Sequence, residues 1–323
     1  MNGNETDLIG QSPAMSRVRA LIERVAPTDA SVLVVGESGS GKELVAQAIH
    51  EQGLRRQRPF LAVNCGALTP SLIEAELFGY EKGSFTGALR MHPGLFERAD
   101  GGTLFLDEVT EMPSEMQTRL LRLVETKRLF RVGGTTEVPT NVRIIAAMNR
   151  CPVAAVQDGS LREDLHYRLA VFPIELPPLR ERGEDIRILA NFFLAQLNVA
   201  YGACKRLSES AMRTLHRHTW PGNVRELRNV IERAFILADE VLHIDPFAAR
   251  RAPQQSAMNG NGRDGVVVPI GTTLASAERA LIEATLTHFR GNKRQAAMTL
   301  GCSQKTLYNK LNIYDRDQAV SVG

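Results

Sequence analysis

Residues 31–42 constrain this chain more than any other stretch. SVLVV is a short, apolar, β-branched run that suits a buried strand, and it ends at Gly36. Gly36-Glu37-Ser38-Gly39-Ser40-Gly41-Lys42 follows, and residues 43–51 then take up helical spacing, with Leu44, Ala48 and Ile49 on one face. Strand, glycine-rich turn and helix start, in that order, are the setting a phosphate-binding loop requires. The glycines let backbone N–H groups turn toward phosphate oxygens, and the helix N-terminus adds partial positive charge. Lys42 would reach the outer phosphates. The next position usually holds a Ser or Thr that binds magnesium; here it is Glu43. A glycine-rich turn with a chance lysine is the plain alternative, disfavoured by the flanking strand and helix.

The rest of the first half repeats the alternation. Residues 60–63, 103–106 and 142–147 read as further strands, and 116–125 as a helix. Strands alternating with helices predict an α/β fold, a parallel sheet with helices on both faces. After Pro177-Pro178 the character changes. Residues 185–200, 208–216 and 224–238 are helical, with no strand candidate between them, which predicts an all-helical subdomain. A stretch rich in Gly, Asn, Gln and Pro over 251–270 reads as a flexible linker. Three short helices are expected beyond it, at 274–289, 293–300 and 304–312. The expected organisation is a tail at 1–7, an α/β part at 8–176, a helical lid at 177–250, the linker, a helical domain at 271–316 and a tail at 317–323. The 323 residues allow two or three domains.

Asp107-Glu108 closes the TLFL strand, 65 residues after Lys42. The carboxyl end of a buried strand is where a magnesium ligand and a water-activating base belong. Asp107 would hold the metal, directly or through water, and Glu108 would polarise the attacking water. Two solvated carboxylates at a strand end are the alternative. Between the two motifs lies Gly83-Ser84-Phe85-Thr86-Gly87-Ala88. Glycines at its ends and an aromatic residue near its tip suit an exposed loop that touches something; an ordinary surface turn with a partly packed Phe would look the same in isolation.

Charge is uneven. Residues 271–316 hold seven Lys/Arg against three acids, a local +4 on a chain whose total is +3. That bias points to a polyanion partner at the C-terminal end. Cys65, Cys151, Cys204 and Cys302 are scattered and read as reduced thiols. The polar N-terminus carries no signal core, and no apolar run approaches the ~18 residues of a membrane span. A cytoplasmic protein is expected.

GESGSGKE, ELFGYEKGSFTGA, GGTLFLDEV and WPGNVREL, in this order, resemble the AAA+ domain of bacterial enhancer-binding proteins, the activators of RNA polymerase carrying sigma-54. The resemblance covers about residues 8–245, and the C-terminal segment resembles the family's Fis-like DNA-binding domain. It implies an AAA+ P-loop ATPase with a helical lid, ATP and Mg2+ as cofactors, and sigma-54, RNA polymerase and enhancer DNA as partners. A homo-oligomer, dimer to hexamer, is also implied. Residues 83–88 match the family's sigma-54 contact loop, with Phe85 and Thr86 as main contacts. Asn64 matches the switch residue that couples Glu108 to nucleotide. Asn149 falls at sensor I, Arg162 and Arg168 in the arginine-finger region, and Arg225 at sensor II. For the fingers a surface salt bridge is the alternative; Arg225 could equally cap a helix carboxyl end.

The C-terminal segment resembles a helix-turn-helix. Gly301 would sit at the turn and Ser303 at the second helix's N-cap. Gln304, Lys305, Thr306 and Asn309 would face the major groove, with Arg294 and Lys310 nearer phosphates. Leu300, Leu307 and Leu311 would be core, and 274–289 a dimer helix. A module used for dimerisation alone is the alternative. Three departures from the family stand out. Ser84 replaces an alanine in the loop, Met148 replaces a threonine beside Asn149, and the chain starts almost at the AAA+ domain, which leaves no room for a preceding regulatory domain. Control is then expected from a partner protein acting on the AAA+ domain, from expression level or from pairing with a related activator. Two other functions fit parts of the pattern: a DNA-binding repressor or architectural protein with a vestigial nucleotide site, and a general AAA+ remodeller of proteins.

Overall fold

The computed structural model describes residues 8–67, 69–244, 273–289 and 292–311. The chain divides into two compact units, Met1–Arg251 and Ala252–Gly323. The expected linker lies outside the described residues.

Unit one is built on a five-stranded sheet: β1 (Val32–Val35), β2 (Phe60–Asn64), β3 (Thr103–Asp107), β4 (Arg143–Met148) and β5 (Phe172–Glu175). The order is β2-β3-β4-β1-β5, and every pairing is parallel. The strands are apolar because both faces are covered. Leu33, Leu104, Leu106, Ile144 and Ala146 point into one core, while Val32, Val34, Phe105, Ile145 and Ala147 point into the other. The second core is closed by α1 (Pro13–Val25) and α2 (Lys42–Glu51). The first is closed by α3 (Pro70–Phe78), α4 (Ser114–Thr126) and α5 (Glu163–Leu169). In α2 the buried face is Val45, Ala46, Ala48 and Ile49, and Leu44 is only half-buried.

Two buried cations hold loop ends without a carboxylate. Arg143 donates to the carbonyls of Val25 and Ala26 at 2.8 and 2.9 Å, which satisfies the free end of α1. Arg182 donates to Ser40 O and Pro177 O at 2.7 and 2.8 Å. Burial pulls its guanidinium down to about 10.

The lid comprises α6 (Asp185–Tyr201), α7 (Glu209–Arg217) and α8 (Asn223–Leu237) around Trp220, whose indole N–H donates to Leu215 O at 2.9 Å. It is not all helical: Arg206–Leu207 pairs in parallel with Val241–Leu242. Two residues per strand leave no periodicity to read. The N-terminal segment is tied to the lid through buried Asp185, which accepts from Gln11 N at 2.5 Å, Ser12 N at 2.9 Å and Ser12 Oγ at 2.6 Å.

Residues 79–94 form an excursion with a narrow neck. A Cβ added to Gly79 would lie 2.6 Å from Gly94 N, and one added to Gly94 would lie 2.3 Å from Gly79 N. Beside the neck stands an antiparallel hairpin, Arg128–Phe130 with Glu137–Pro139. Tyr80 bridges His92 on one side and Val132 on the other. Arg131 locks this base, donating to Glu97 at 2.7 and 2.8 Å and to Glu81 at 2.8 Å. Those bonds, Glu97 first, push its guanidinium pKa further up.

Unit two contains α9 (Leu274–His288), α10 (Lys293–Thr299) and α11 (304–311) around Ile282, Ala296, Ala297 and Leu307. Leu300 and Leu311 pack on that core. Ser303 Oγ accepts from Thr306 N at 3.1 Å and caps α11. Gly301 supplies the left-handed turn, at φ 66°.

Candidate functional site

The carboxyl ends of β1 to β4 place the phosphate loop, Asn64, Asp107 and Met148 along one edge of the sheet. Gly36 N donates to Met148 O at 3.1 Å, anchoring the start of the loop. Gly39 and Gly41 are left-handed, at φ 74° and 105°. Gly41 has open space around it, so torsion alone demands glycine there. Lys42 is 7% exposed and folds back, its ammonium donating to Gly36 O at 3.0 Å and Glu37 O at 3.3 Å. Burial lowers its pKa, and the nearby carboxylates of Asp107 and Glu108 oppose that shift.

A cavity of about 660 Å³ opens over the loop and is lined by Gly39, Lys42, Glu43, Asp107, Arg225 and Arg228 among others. A smaller apolar cavity, about 60 Å³, adjoins it, lined by Leu8, Ile9, Leu44, Phe192, Phe193 and Val224 among others. Lys42, Asp107 and Arg225 therefore meet around one space, supplied by a loop, a strand end and the lid.

Asn64 lies directly opposite Asp107 in the β2–β3 register. Its amide donates to Asp107 Oδ2 at 3.3 Å, while its Oδ1 accepts from Gly66 N at 2.9 Å. Coupling to Glu108 was the expectation; the bond goes to Asp107 instead. The cause is local. Glu108 is left-handed, at φ 54°, and swings toward Gly66, where an added Cβ would meet Glu108 Oε2 at 3.2 Å.

Arg225 sits in the first turn of α8, not at a helix carboxyl end. Its Nη1 lies 3.2 Å from Ser38 Oγ, and its backbone N–H donates to Gly39 O at 3.3 Å. Asn149 is exposed just past β4, and Met148 is fully buried. Arg162 and Arg168 are exposed and pair with Asp164 at 2.8 Å and Glu125 at 3.0 Å. Neither lines the cavity of its own chain.

Sequence reading missed the residues that join the loop to the lid. Arg180 grips Glu37 in a two-pronged pair at 2.7 and 2.9 Å. That bond, with one from Asn223, holds the Glu37 carboxyl below the usual range. Arg180 and Arg182 stand in L-R-E-R-G, which looks like an ordinary run of solvated charge. Asn223 stands in G-N-V-R-E-L, where the charge of the neighbouring arginine is the more conspicuous signal.

In the 83–88 loop, Gly83 and Gly87 are left-handed at φ 83° and 110°. Gly83 N donates to Ala88 O at 2.8 Å and Ala88 N to Phe85 O at 3.0 Å, closing a tight ring. Thr86 is exposed; Phe85 is 47% exposed and stands edge-on to Tyr80 at 5.0 Å between centroids. Ser84 tucks inward against Gly133.

In unit two, Arg294, Gln304, Lys305, Thr306 and Asn309 are exposed. Lys310 differs from expectation: it is half-buried and pairs with Glu278 at 2.5 Å, because its side of α11 faces α9. Lys293 instead lies over the exposed Tyr308 ring at 4.1 Å.

Residues 8–175 match the family model of the sigma-54 interaction domain, 180–262 that of an AAA+ ATPase lid domain, and 273–314 that of bacterial regulatory proteins of the Fis family. Similar curated proteins include the transcriptional regulatory protein FlbD of Caulobacter vibrioides, 44% identical over 99% of this chain and 72% of its own length. The regulator NtrC of Azospirillum brasilense is 43% identical, over 95% of this chain and 69% of that protein. The nitrogen fixation protein AnfA of Azotobacter vinelandii is 44% identical, over 96% and 57%. Among solved structures, NtrX from Brucella abortus in complex with ADP matches with a TM-score of 0.75 at 38% identity, covering 96% of this chain and 69% of that one. Its complex with ATP matches at 0.74 and 37%, with the same coverage.

Proposed function

The chain belongs to the family of sigma-54-dependent transcriptional activators, an AAA+ ATPase joined to a Fis-family helix-turn-helix, and on that footing we propose how its residues divide the work. The observation that carries the reading is the meeting of Lys42, Asp107 and Arg225 around one cavity over a glycine-rich loop. ATP places its phosphates on the amides of Gly36, Glu37, Ser38, Gly39, Ser40 and Gly41, against the Lys42 ammonium. The adjoining apolar cavity takes the base.

Asp107 would hold magnesium, and Glu43 stands where a hydroxyl ligand is usual. Among the described residues no cluster of three metal-ligating side chains exists. One carboxylate with waters and phosphate oxygens nevertheless suits this ion, which keeps much of its hydration. Magnesium held there would supply positive charge against the outer phosphates. Glu108 orients the attacking water. Asn64, bonded to Asp107, senses the occupied site from the neighbouring strand, and Asn149 senses the outer phosphate.

Arg162 and Arg168 act in trans, on the cavity of a neighbouring subunit, in a closed head-to-tail ring, a hexamer. Their exposure, and that of the adjacent Tyr167 and Val171, supports such an interface. Gly83, Ser84, Phe85, Thr86, Gly87 and Ala88 form the output loop, with Phe85 and Thr86 presented to sigma-54. In unit two, Gln304, Lys305, Thr306 and Asn309 read DNA bases and Arg294 holds phosphate. Lys310 contributes only once released from Glu278. Such a protein works in the bacterial cytoplasm; among the described residues no helix is long and apolar enough to cross a membrane.

Thr86→Ala tests the division of labour. It should leave ATP hydrolysis intact and abolish promoter opening by sigma-54 polymerase, whereas Asp107→Ala should abolish both. Promoter opening that survives Thr86→Ala would remove the loop from the mechanism.

A further inference from the structure

The phosphate loop is fastened to the lid through Asn223 and Arg180. Asn223 is fully buried, yet its backbone is left-handed, at φ 51°. Asparagine is among the few non-glycine residues that adopt this conformation readily. Its carboxamide works at both ends. Oδ1 accepts from Leu179 N at 2.7 Å; Nδ2 donates to Glu37 Oε2 at 3.0 Å and to Ser38 O at 3.1 Å. Glu37 is held from its other side by Arg180. The next two residues continue the contact, Val224 N and Arg225 N donating to Gly39 O at 3.0 and 3.3 Å. Gly39 and Gly222 meet so closely that a Cβ on Gly39 would come within 2.4 Å of Gly222 O. The start of α8 and the loop thus share one continuous interface.

Two physical consequences follow. A loop rich in glycine is torsionally free, and ordering it at the moment of binding would cost affinity. The fastening removes much of that cost beforehand. Glu37 is also a fixed negative charge within a loop meant for phosphates. The Arg180 guanidinium neutralises that carboxylate, and Asn223 Nδ2 donates to its Oε2.

We propose that Asn223 is a positioning residue for nucleotide binding: through Glu37 and Ser38 it holds the phosphate loop and the first turn of α8 as one body, fixing Arg225 over the loop. The inference rests on reading the cavity as a nucleotide site, and it adds the element that pre-sets that site's shape.

The test uses the full chain and measures ADP and ATP affinity, the KM and kcat of hydrolysis, and the unfolding temperature. Asn223→Asp keeps the acceptor for Leu179 but sets a second carboxylate against Glu37. Affinity should fall by roughly tenfold or more, with KM rising more than kcat falls. Adding Glu37→Gln to the same chain restores a donor facing the new acceptor and should recover a large part of the loss. Arg180→Gln, at a side chain 44% exposed, should weaken affinity without unfolding the protein. The proposal is overturned if Asn223→Asp binds ADP as tightly as the unmodified chain, if Glu37→Gln brings no recovery, or if affinity follows the unfolding temperature alone. An unmodified chain that bound no nucleotide would instead strike at the reading of the cavity, and the latch would fall with it.

Discussion

The side chain of Ser84 rests on the bare Cα of Gly133: a Cβ placed on Gly133 would lie 2.7 Å from Ser84 Cβ, and the Ser84 hydroxyl, buried there, has no hydrogen-bond partner. An unpartnered buried hydroxyl costs stability. Ser84→Ala should therefore raise thermal stability, by on the order of 1 kcal/mol, and leave promoter opening intact. Gly133→Ala should act the opposite way. Its φ is 75° and the new methyl has no room, so a loss of about 1–3 kcal/mol is expected, with promoter opening reduced more than ATP hydrolysis. Thermal unfolding alongside both activities checks the pair. A destabilising Ser84→Ala would mean that the hydroxyl does useful bonding.

Lys42 predicts a proton linked to nucleotide binding. Burial sets its pKa below the ordinary 10.5. In the empty protein the folded chain then binds fewer protons than the unfolded chain between the depressed and ordinary values, so stability rises with pH across that window. Phosphates favour the ammonium and push the pKa back up. Nucleotide affinity should therefore fall as pH climbs through the depressed value, and binding in that range should take up a proton. Calorimetry in buffers of different ionisation enthalpy measures the uptake, and Lys42→Met should abolish it. Uptake that persisted in Lys42→Met would assign the proton to another group.

The proposed action of Arg162 and Arg168 in trans predicts complementation between subunits. Arg162 and Arg168 are held only by exposed ion pairs, which solvent screens and which are easily released to a neighbour. Arg168→Ala and Asp107→Ala should each hydrolyse ATP poorly alone. Mixed in equal amounts, roughly a quarter of sites in a ring join an intact Asp107 to an intact Arg168. Hydrolysis by the mixture should rise above that of either variant. A mixture no better than its components would confine Arg168 to its own subunit.

What the sequence showed and what it hid divide along physical lines. β4 was readable because Ile144, Ile145, Ala146, Ala147 and Met148 form a continuous, fully buried apolar run after Arg143. β5 was not: Pro173 and Glu175 interrupt it, which the fold tolerates because β5 pairs only with β1 at the sheet edge. Gly39, Lys42 and Asp107 announced themselves by local spacing. Asn223 and Arg182 act across more than a hundred residues of chain, on Glu37, Ser38 and Ser40, and nothing local marks such partners. Lys310 looked like a phosphate contact because charge shows in a sequence and Glu278, 32 residues earlier, does not show as its partner.

The neck at Gly79 and Gly94 carries one more implication. Beyond the neck the excursion leans on the hairpin at 128–139 through Tyr80, Glu81 and Ser84, and not on the strands of the sheet. A change at the tip, such as one at Ser84, is therefore felt first at Gly133 in the hairpin turn and reaches the nucleotide cavity only through the body behind it.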